Sequence, residues 1–505
     1  MKGVGWMAKR RNGSNRNDEG NFTIPAPKGI YQAAGDANIN PDYAYRAENI
    51  RTQRGLMASG YGTSRAFAAL GAPIETLERF YRRNRPDDPD VFVAGAGGAI
   101  YTYTMGTEGW SKRAEGFASN RWSCVTYEMI QDGETVDILI MSNALDGMVV
   151  LDGAELQVER RTLSIGDDHA PVCFAQLGRH AERIWGTGAP GYPDAIFYSR
   201  AYDPFDWTGM EETPELGGGM IKQPTWDGDA FMALHPFGGY LLAIKSRTIF
   251  EIRGSDPSSF TITRAYGTDG PVQERTICTD RMQMYFLTQD GLGLYDGTKM
   301  EVLSRDALYE TMRMRMEGME SMATACLCGQ KYYLALCVKE HETDVLTQNN
   351  TVIEYDTERG TFMIRKGIRV RDFFALNDEV FFTQADAPFE VLRFDDEKTG
   401  SYLGEPMKCL WETPWLDLGK EMMKRDFVLR FTAEADENGL PLKLTLATDR
   451  RAKAKTILLS RTRTDYSVKI QNSGVRMRLR LESGARAAGW RIYGGIAVAY
   501  SMDEA

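Results

Sequence analysis

The sequence predicts a mainly β protein: a β-propeller of six or seven blades followed by a β-sandwich. Three observations predict it. Pairs of apolar runs joined by glycine-rich turns recur along the chain, no amphipathic helices alternate with them, and beyond residue 405 the pattern changes to long period-2 strands. Gly is frequent, at 50 of 505 residues, and aromatic residues make up 11%, as many short strands ended by tight turns would require.

The repeat is clearest in "VDILIMSNALDGMVVLDG" (136–153) and "QMYFLTQDGLGLYDG" (283–297), each an apolar run, a turn, a second run and an Asp-Gly stop. Comparable pairs are "DVFVAGAGGAIYTYT" (90–104), "ERIWGTGAPGYPDAIFYS" (182–199), "GYLLAIKSRTIFEIRG" (239–254), "KYYLALCVKE" with "NTVIEYDTERGTFMIR" (331–365), and "EVFFTQADAPFEVLRFDD" (379–396). Their turns centre near residues 96, 144, 189, 246, 290, 343 and 386, a spacing of about 43 to 57 residues. Propeller blades run to ~40–50 residues each, because a small four-stranded sheet has two faces to cover and covers them by packing on its neighbours around a ring. No WD or kelch signature marks the blades, so the spacing alone carries this reading against a pair of sandwiches or a less regular β body.

The organisation expected is therefore an N-terminal arm and assembly segment over 1–73, a propeller over 74–404, and a sandwich over 405–505. Residues 1–20 are polar and carry Lys2, Lys9, Arg10, Arg11 and Arg16, with too little apolar surface to order alone; they read as a frayed tail or as an arm that orders on a partner. One helix is expected inside the propeller, over 304–322. Asp306 would cap it, and Leu308, Met312, Met316 and Met319 would share one face, more for core packing than for a cofactor. In the sandwich, "FVLRFTA" (427–433), "LKLTL" (442–446) and "VRMRLRL" (475–481) alternate strictly. Val475, Met477, Leu479 and Leu481 would face the core, and Arg476, Arg478 and Arg480 would face solvent or a partner.

The chain carries 60 Lys and Arg against 70 Asp and Glu, a net charge of −10, which excludes a surface built to coat nucleic acid. The charge is unevenly placed. Residues 411–505 hold 17 basic and 12 acidic residues, a net +5, which leaves −15 for residues 1–410. A basic module on an acidic body suits docking, or is an ordinary solvated face. The seven cysteines are scattered with neither disulfide-framework nor metal-knuckle spacing, which points to free thiols in a reducing cytosol. No signal-peptide core and no apolar run long enough to span a membrane is present in the sequence.

Motifs for chemistry are weak. "GTGAPG" (186–191) matches a dinucleotide fingerprint in letters, but Pro190, Pro193 and a following strand make it a hairpin loop; "AGAGGAI" (94–100) fails likewise. His169, His180, His235 and His341 have no second ligand at metal spacing, and "HETD" (341–344) is not a zinc helix. No nucleophile elbow or phosphate loop appears. "GTEGW" (106–110) and "YDPFDWTG" (202–209) only brush the sialidase box, so Trp110, Trp207 and Tyr202 are expected to pack within blades. No catalytic residue, cofactor or metal is expected, and the chain reads as a non-enzyme.

The stretch "NINPDYAYRAENIRTQRGLMASGYGTSRAF" (38–67) resembles the opening of bacteriophage tail proteins that precede a propeller. With "AIFYSRAYDPFDWTG" (195–209), "LLAIKSRTIFEIRGSDPSSFTITRAYGTDGPV" (241–272) and "LTQDGLGLYDGTKMEVLSRDALYETM" (287–312), the chain resembles the tail nozzle or tail hub proteins of short-tailed phages, the tail tubular protein B type. The resemblance implies a structural virion component assembled in the bacterial host cytoplasm. It would be a homohexameric ring below the head–tail adaptor, contacting other tail proteins and, transiently, passing genomic DNA. Assembly contacts are expected from Arg10, Arg11, Tyr43, Tyr45, Arg46, Asn49, Arg51, Met312, Met316, Arg476, Arg478 and Arg480. The alternative is a host-surface carbohydrate-binding propeller of a tail spike.

Overall fold

Seven four-stranded antiparallel blades follow one another around a ring, five as separate sheets, one as part of a nine-stranded sheet and one as part of a six-stranded sheet. The computed structural model describes residues 18–33, 39–131, 133–165, 170–226, 228–267, 272–418 and 421–502. The seven blades begin at Ile74, Ser123, Gln176, Phe231, Cys278, Thr324 and Val370, and the first six are meanders from an inner strand to an outer one. Each hairpin read from the sequence contains the second and third strand of one blade, and the stretch 331–365 includes the fourth strand of blade six as well. Second and third strands are, for example, Glu134–Asn143 with Gly147–Asp152 in blade two and Gln283–Thr288 with Gly291–Tyr295 in blade five. These are the strands with both faces covered, and so the ones that read as continuous apolar runs.

Period-2 alternation builds the ring. In blade two, Ile138 and Ile140 pack toward blade three, whereas Leu139 and Met141 pack toward blade one. The same division produces one apolar core between every neighbouring pair of blades, including Phe381 and Val391 of blade seven against Phe92 and Ala94 of blade one. Asp residues end the third strands in an Asx turn. Asp152, Asp296, Asp356 and Asp395 each accept backbone N–H bonds from residues two or three further on, which is what the recurring "LDG" and "YDG" encode.

The first three blade strands of blade seven are local, but its fourth, Gly62–Phe67, comes from the N-terminal side of the chain and pairs with Val391–Asp395. The chain then enters blade one at Ile74, so this strand closes the ring. Gly62 is required there: a Cβ would lie 1.7 Å from the Lys398 carbonyl oxygen.

Two expectations are corrected. First, residues within 1–73 do not form a separate arm. Asp18–Ile24 and Leu56–Ser59 pair with the last strand, Trp490–Met502, in one sheet of the sandwich. Arg46–Glu48 pairs on one side with Thr361–Lys366 of blade six and on the other with Cys409–Glu412 of the sandwich's second sheet, making one nine-stranded sheet. The propeller and the sandwich therefore share a sheet and, at blades five and six, a continuous core. Second, no single helix spans 304–322. Short helices at Ser304–Ala307 and Tyr309–Arg313 give way to a 3-10 turn at Glu320–Met322. Blade six captures the chain between them: Met316 N–H bonds the Cys337 carbonyl, Lys339 N–H bonds the Met314 carbonyl, and Gly318 turns at φ 81°. Asp306 makes no cap bond either; it lies inside the first helix, whose N-cap is Leu303.

The sandwich strands are Lys424–Ala435, Leu440–Thr448, Ala452–Leu459, Thr464–Gly474, Met477–Ser483 and Trp490–Met502. Met477, Leu479 and Leu481 are buried as the alternation requires, while Val475 lies just before the strand and outside that row.

Candidate functional site

The N-terminal segment is a strap that lies along the seam between blade six and the sandwich. Asn49, at φ 54°, is its clasp. Its side-chain amide donates to the Lys366 carbonyl at 3.1 Å and the Lys408 carbonyl at 2.8 Å, and its oxygen accepts from the Lys366 N–H at 3.0 Å. One buried side chain thus bonds the last strand of blade six and the chain entering the sandwich. Gln32 does the same toward the helices, accepting from the Thr311 N–H and hydroxyl and donating to the Tyr45 carbonyl.

Charges line the outer face of the shared sheet as a ladder. Arg46 pairs with Glu48 at 2.6 Å, Lys366 with Glu48 at 3.4 Å, Arg478 with Glu412 at 3.0 Å, Arg480 with Glu482 at 2.8 Å, and Lys443 with Glu482 at 3.0 Å. Arg478 also stacks on Tyr45 and Trp415. Deeper in the seam, Lys331 and Arg365 flank Glu354. Burial alone would raise that carboxyl, but the two cations outweigh it and hold it below its ordinary value. Tyr61 sits between two guanidinium groups, Arg51 at 4.7 Å and Arg365 at 5.2 Å.

The strap, the helices and the shared sheet enclose a cleft of about 460 Å³. Six cations line it: Arg46, Arg313, Lys339, Lys366, Lys408 and Arg480; three carboxylates, Glu48, Glu310 and Glu340, oppose them. Lys339 and Lys408 have no carboxylate partner among the described residues. With Arg313 also paired to Glu342 and Arg480 to Glu412 and Glu482, the surplus positive charge of the cleft is that of these two lysines, on a protein whose net charge is −10.

Of the residues expected at assembly contacts, the structure brings Tyr45, Arg46 and Arg480 into this cleft, and places Asn49 and Arg51 behind it in the seam. Arg478 and Arg480, expected to face a partner freely, are engaged within the chain because the strap and Glu412 cover their face. Arg476 is exposed beside Trp415 and Leu418. Tyr43 packs on Tyr31 with the rings tilted and their centres 6.0 Å apart, in a neighbouring cleft beside the first helix. Met312 packs on the core; Met316 lies against Leu346. Arg10 and Arg11 lie outside the described residues. Lys366, Lys408 and Lys339 carried no sequence signal, since only strand pairing brings residues so distant in the chain together.

A second charged cluster joins the first strands of blades one, six and seven to the chain entering blades two and five. Arg275 pairs with Asp372 at 2.8 Å, Thr324 donates to the same carboxylate, and Glu75 binds Arg371 at 2.5 Å and Arg121 at 3.9 Å. Below it, burial and the neighbouring Asp372 push the Glu78 carboxyl up to about 7. Burial holds His235 down at about 4 and raises the Cys278 thiol to about 12. No group of three His, Cys, Asp or Glu suited to a metal is present among the described residues. Trp207 is buried on Phe174 and Trp110 packs on Phe67 and Tyr103, as expected of blade packing; Tyr202, expected with them, is exposed instead because the outer loop of blade three carries it to the rim.

No protein-family profile matches the chain, and no curated protein does. Among solved structures, YCF48 from Cyanidioschyzon merolae aligns at 11% identity over 66% of this chain and 99% of its own, with a TM-score of 0.41. A chain of the mitotic checkpoint complex aligns at 11% identity over 66% of this chain and 94% of its own, with a TM-score of 0.36. By its own strand pairing and closed ring of cores, the chain is a seven-bladed β-propeller joined to a β-sandwich.

Proposed function

We propose that the chain is a structural subunit of a bacteriophage tail, of the nozzle or hub kind, that assembles with copies of itself into a ring below the head–tail adaptor. The phage assignment rests on the resemblance in residues 38–67 and the blade segments. The observation that carries a structural role is the nine-stranded sheet running from blade six through Arg46–Glu48 into the sandwich. A backbone ladder of this kind leaves the two modules no hinge, so each copy presents its surfaces at fixed angles, as a ring-forming subunit must. A body carrying −15 over residues 1–410 would also repel passing DNA rather than hold it.

The test is electron microscopy and light scattering of the purified chain, alone and with its head–tail adaptor. The reading expects a closed ring. A 56.7 kDa monomer in every condition, adaptor included, would contradict it.

A further inference from the structure

Blades three and six lie three steps apart one way around the ring and four the other, on nearly opposite sides of the rim. The outer loop of blade three, Met210–Leu216, places Glu211, Glu212 and Glu215 in solvent with no ion pair among the described residues. Around it, Tyr202 is 68% exposed, Met220 44% and Leu216 39%, an apolar fringe of a kind that marks contact surfaces. The loop is held rigidly. Arg183, fully buried and without a carboxylate partner among the described residues, donates to the carbonyls of Ser199, Glu215, Leu216 and Gly217 at 2.6–3.1 Å. A buried guanidinium tied to four carbonyls fixes the loop before any partner arrives, which lowers the ordering cost of binding.

On the far side of the rim, the blade-six cleft offers the complementary chemistry. Four of its six cations, Arg46, Arg313, Lys366 and Arg480, are held by carboxylates of the same chain; Lys408 and Lys339, whose Nζ donates to the Glu342 carbonyl at 3.4 Å, have no carboxylate partner among the described residues and carry its surplus positive charge. We propose that the acidic loop 210–216 of one copy docks into the basic cleft of the next, so that this head-to-tail contact joins the ring. The inference deepens the assembly reading above and rests on it. Glu48, Glu310 and Glu340 between the cations favour a partner with discrete carboxylates over the continuous phosphates of nucleic acid. Because the two patches are different surfaces, the contact is heterologous and propagates from copy to copy until rotation closes it.

The experiment uses two full-length variants, Glu211→Lys with Glu212→Lys in the loop, and Lys339→Glu with Lys408→Glu in the cleft. Sedimentation velocity reads their association. Each variant alone is expected to lose about 100-fold or more in association constant. An equimolar mixture is expected to recover assembly, since each reversed patch then meets its opposite. The milder Glu211→Gln with Glu212→Gln should fall between, and matching melting curves establish that all are folded. If the wild type assembles and both variants assemble equally well, or if the mixture fails to recover, the contact is overturned while the assembly reading stands. A wild type that stays monomeric at every concentration, with the head–tail adaptor present as well as without it, removes both. Capture of a short duplex DNA by the cleft, in place of a second copy, also overturns the contact.

Discussion

The guanidinium of Arg371 lies 2.5 Å from the carboxylate of Glu75, and this contact ties the inner strand of blade seven to that of blade one. The two residues are 296 positions apart in the chain, so their ion pair reinforces a junction that the closing strand Gly62–Phe67, running on into blade one, makes through the backbone. Arg371→Ala is expected to cost roughly 1–3 kcal/mol, and a double-mutant cycle with Glu75→Ala should show coupling, read by chemical denaturation. Additive effects would mean the pair is merely adjacent.

Gly62→Ala tests the closing strand more severely. The added methyl has nowhere to go between the Lys398 and Ser401 carbonyls, so the strand must leave its place beside Val391–Asp395. A loss of roughly 3 kcal/mol is expected in denaturant melts. Gly55→Ala is a poor control because its φ is 79°, whereas Gly109→Ala, in open space at an ordinary φ, should change little.

Asn49→Ala removes three hydrogen bonds from the seam and leaves the new residue at φ 54°. The expected cost is about 2–4 kcal/mol. Because the bonds join blade six to the sandwich, the variant should also be cut sooner than wild type by a protease acting within residues 405–415.

Glu78 makes stability depend on pH with a definite sign. Its folded value, raised to about 7 from the ordinary 4.5, means the folded chain keeps a proton that the unfolded chain releases between those values. Stability from this group is fully present below 4.5 and falls as pH rises to 7, by at most roughly 3 kcal/mol. Glu78→Gln should match wild type near pH 4 and melt higher above pH 7. Parallel curves for the two proteins across that range would refute the assignment.

The blades were legible because a buried second and third strand, with a turn between, is a strong local signal: Ile138–Met141 and Tyr285–Leu287 can hardly be read otherwise. The C-terminal strands were legible from the Met477, Leu479, Leu481 alternation. What escaped was everything set by distant pairing. "GTSRAF" at 62–67 has little apolar period, and its role as an outer blade strand depends on Val391–Asp395, more than 300 residues away. The methionine spacing over 304–322 resembled one helix, yet Gly318 and the pull of Cys337 and Lys339 break it. Arg478 and Arg480 were placed on the correct face, but only the shared sheet supplies Glu412 and Glu482 to occupy them.

Amide hydrogen exchange over residues 46–48 and 62–67 tests most directly whether the N-terminal segment welds sandwich to propeller and shuts the ring. These amides are expected to exchange as slowly as those of Ile138–Met141 inside blade two, opening only with the whole fold. Exchange at the rate of the exposed loop 210–216, with blade two still protected, would contradict the account.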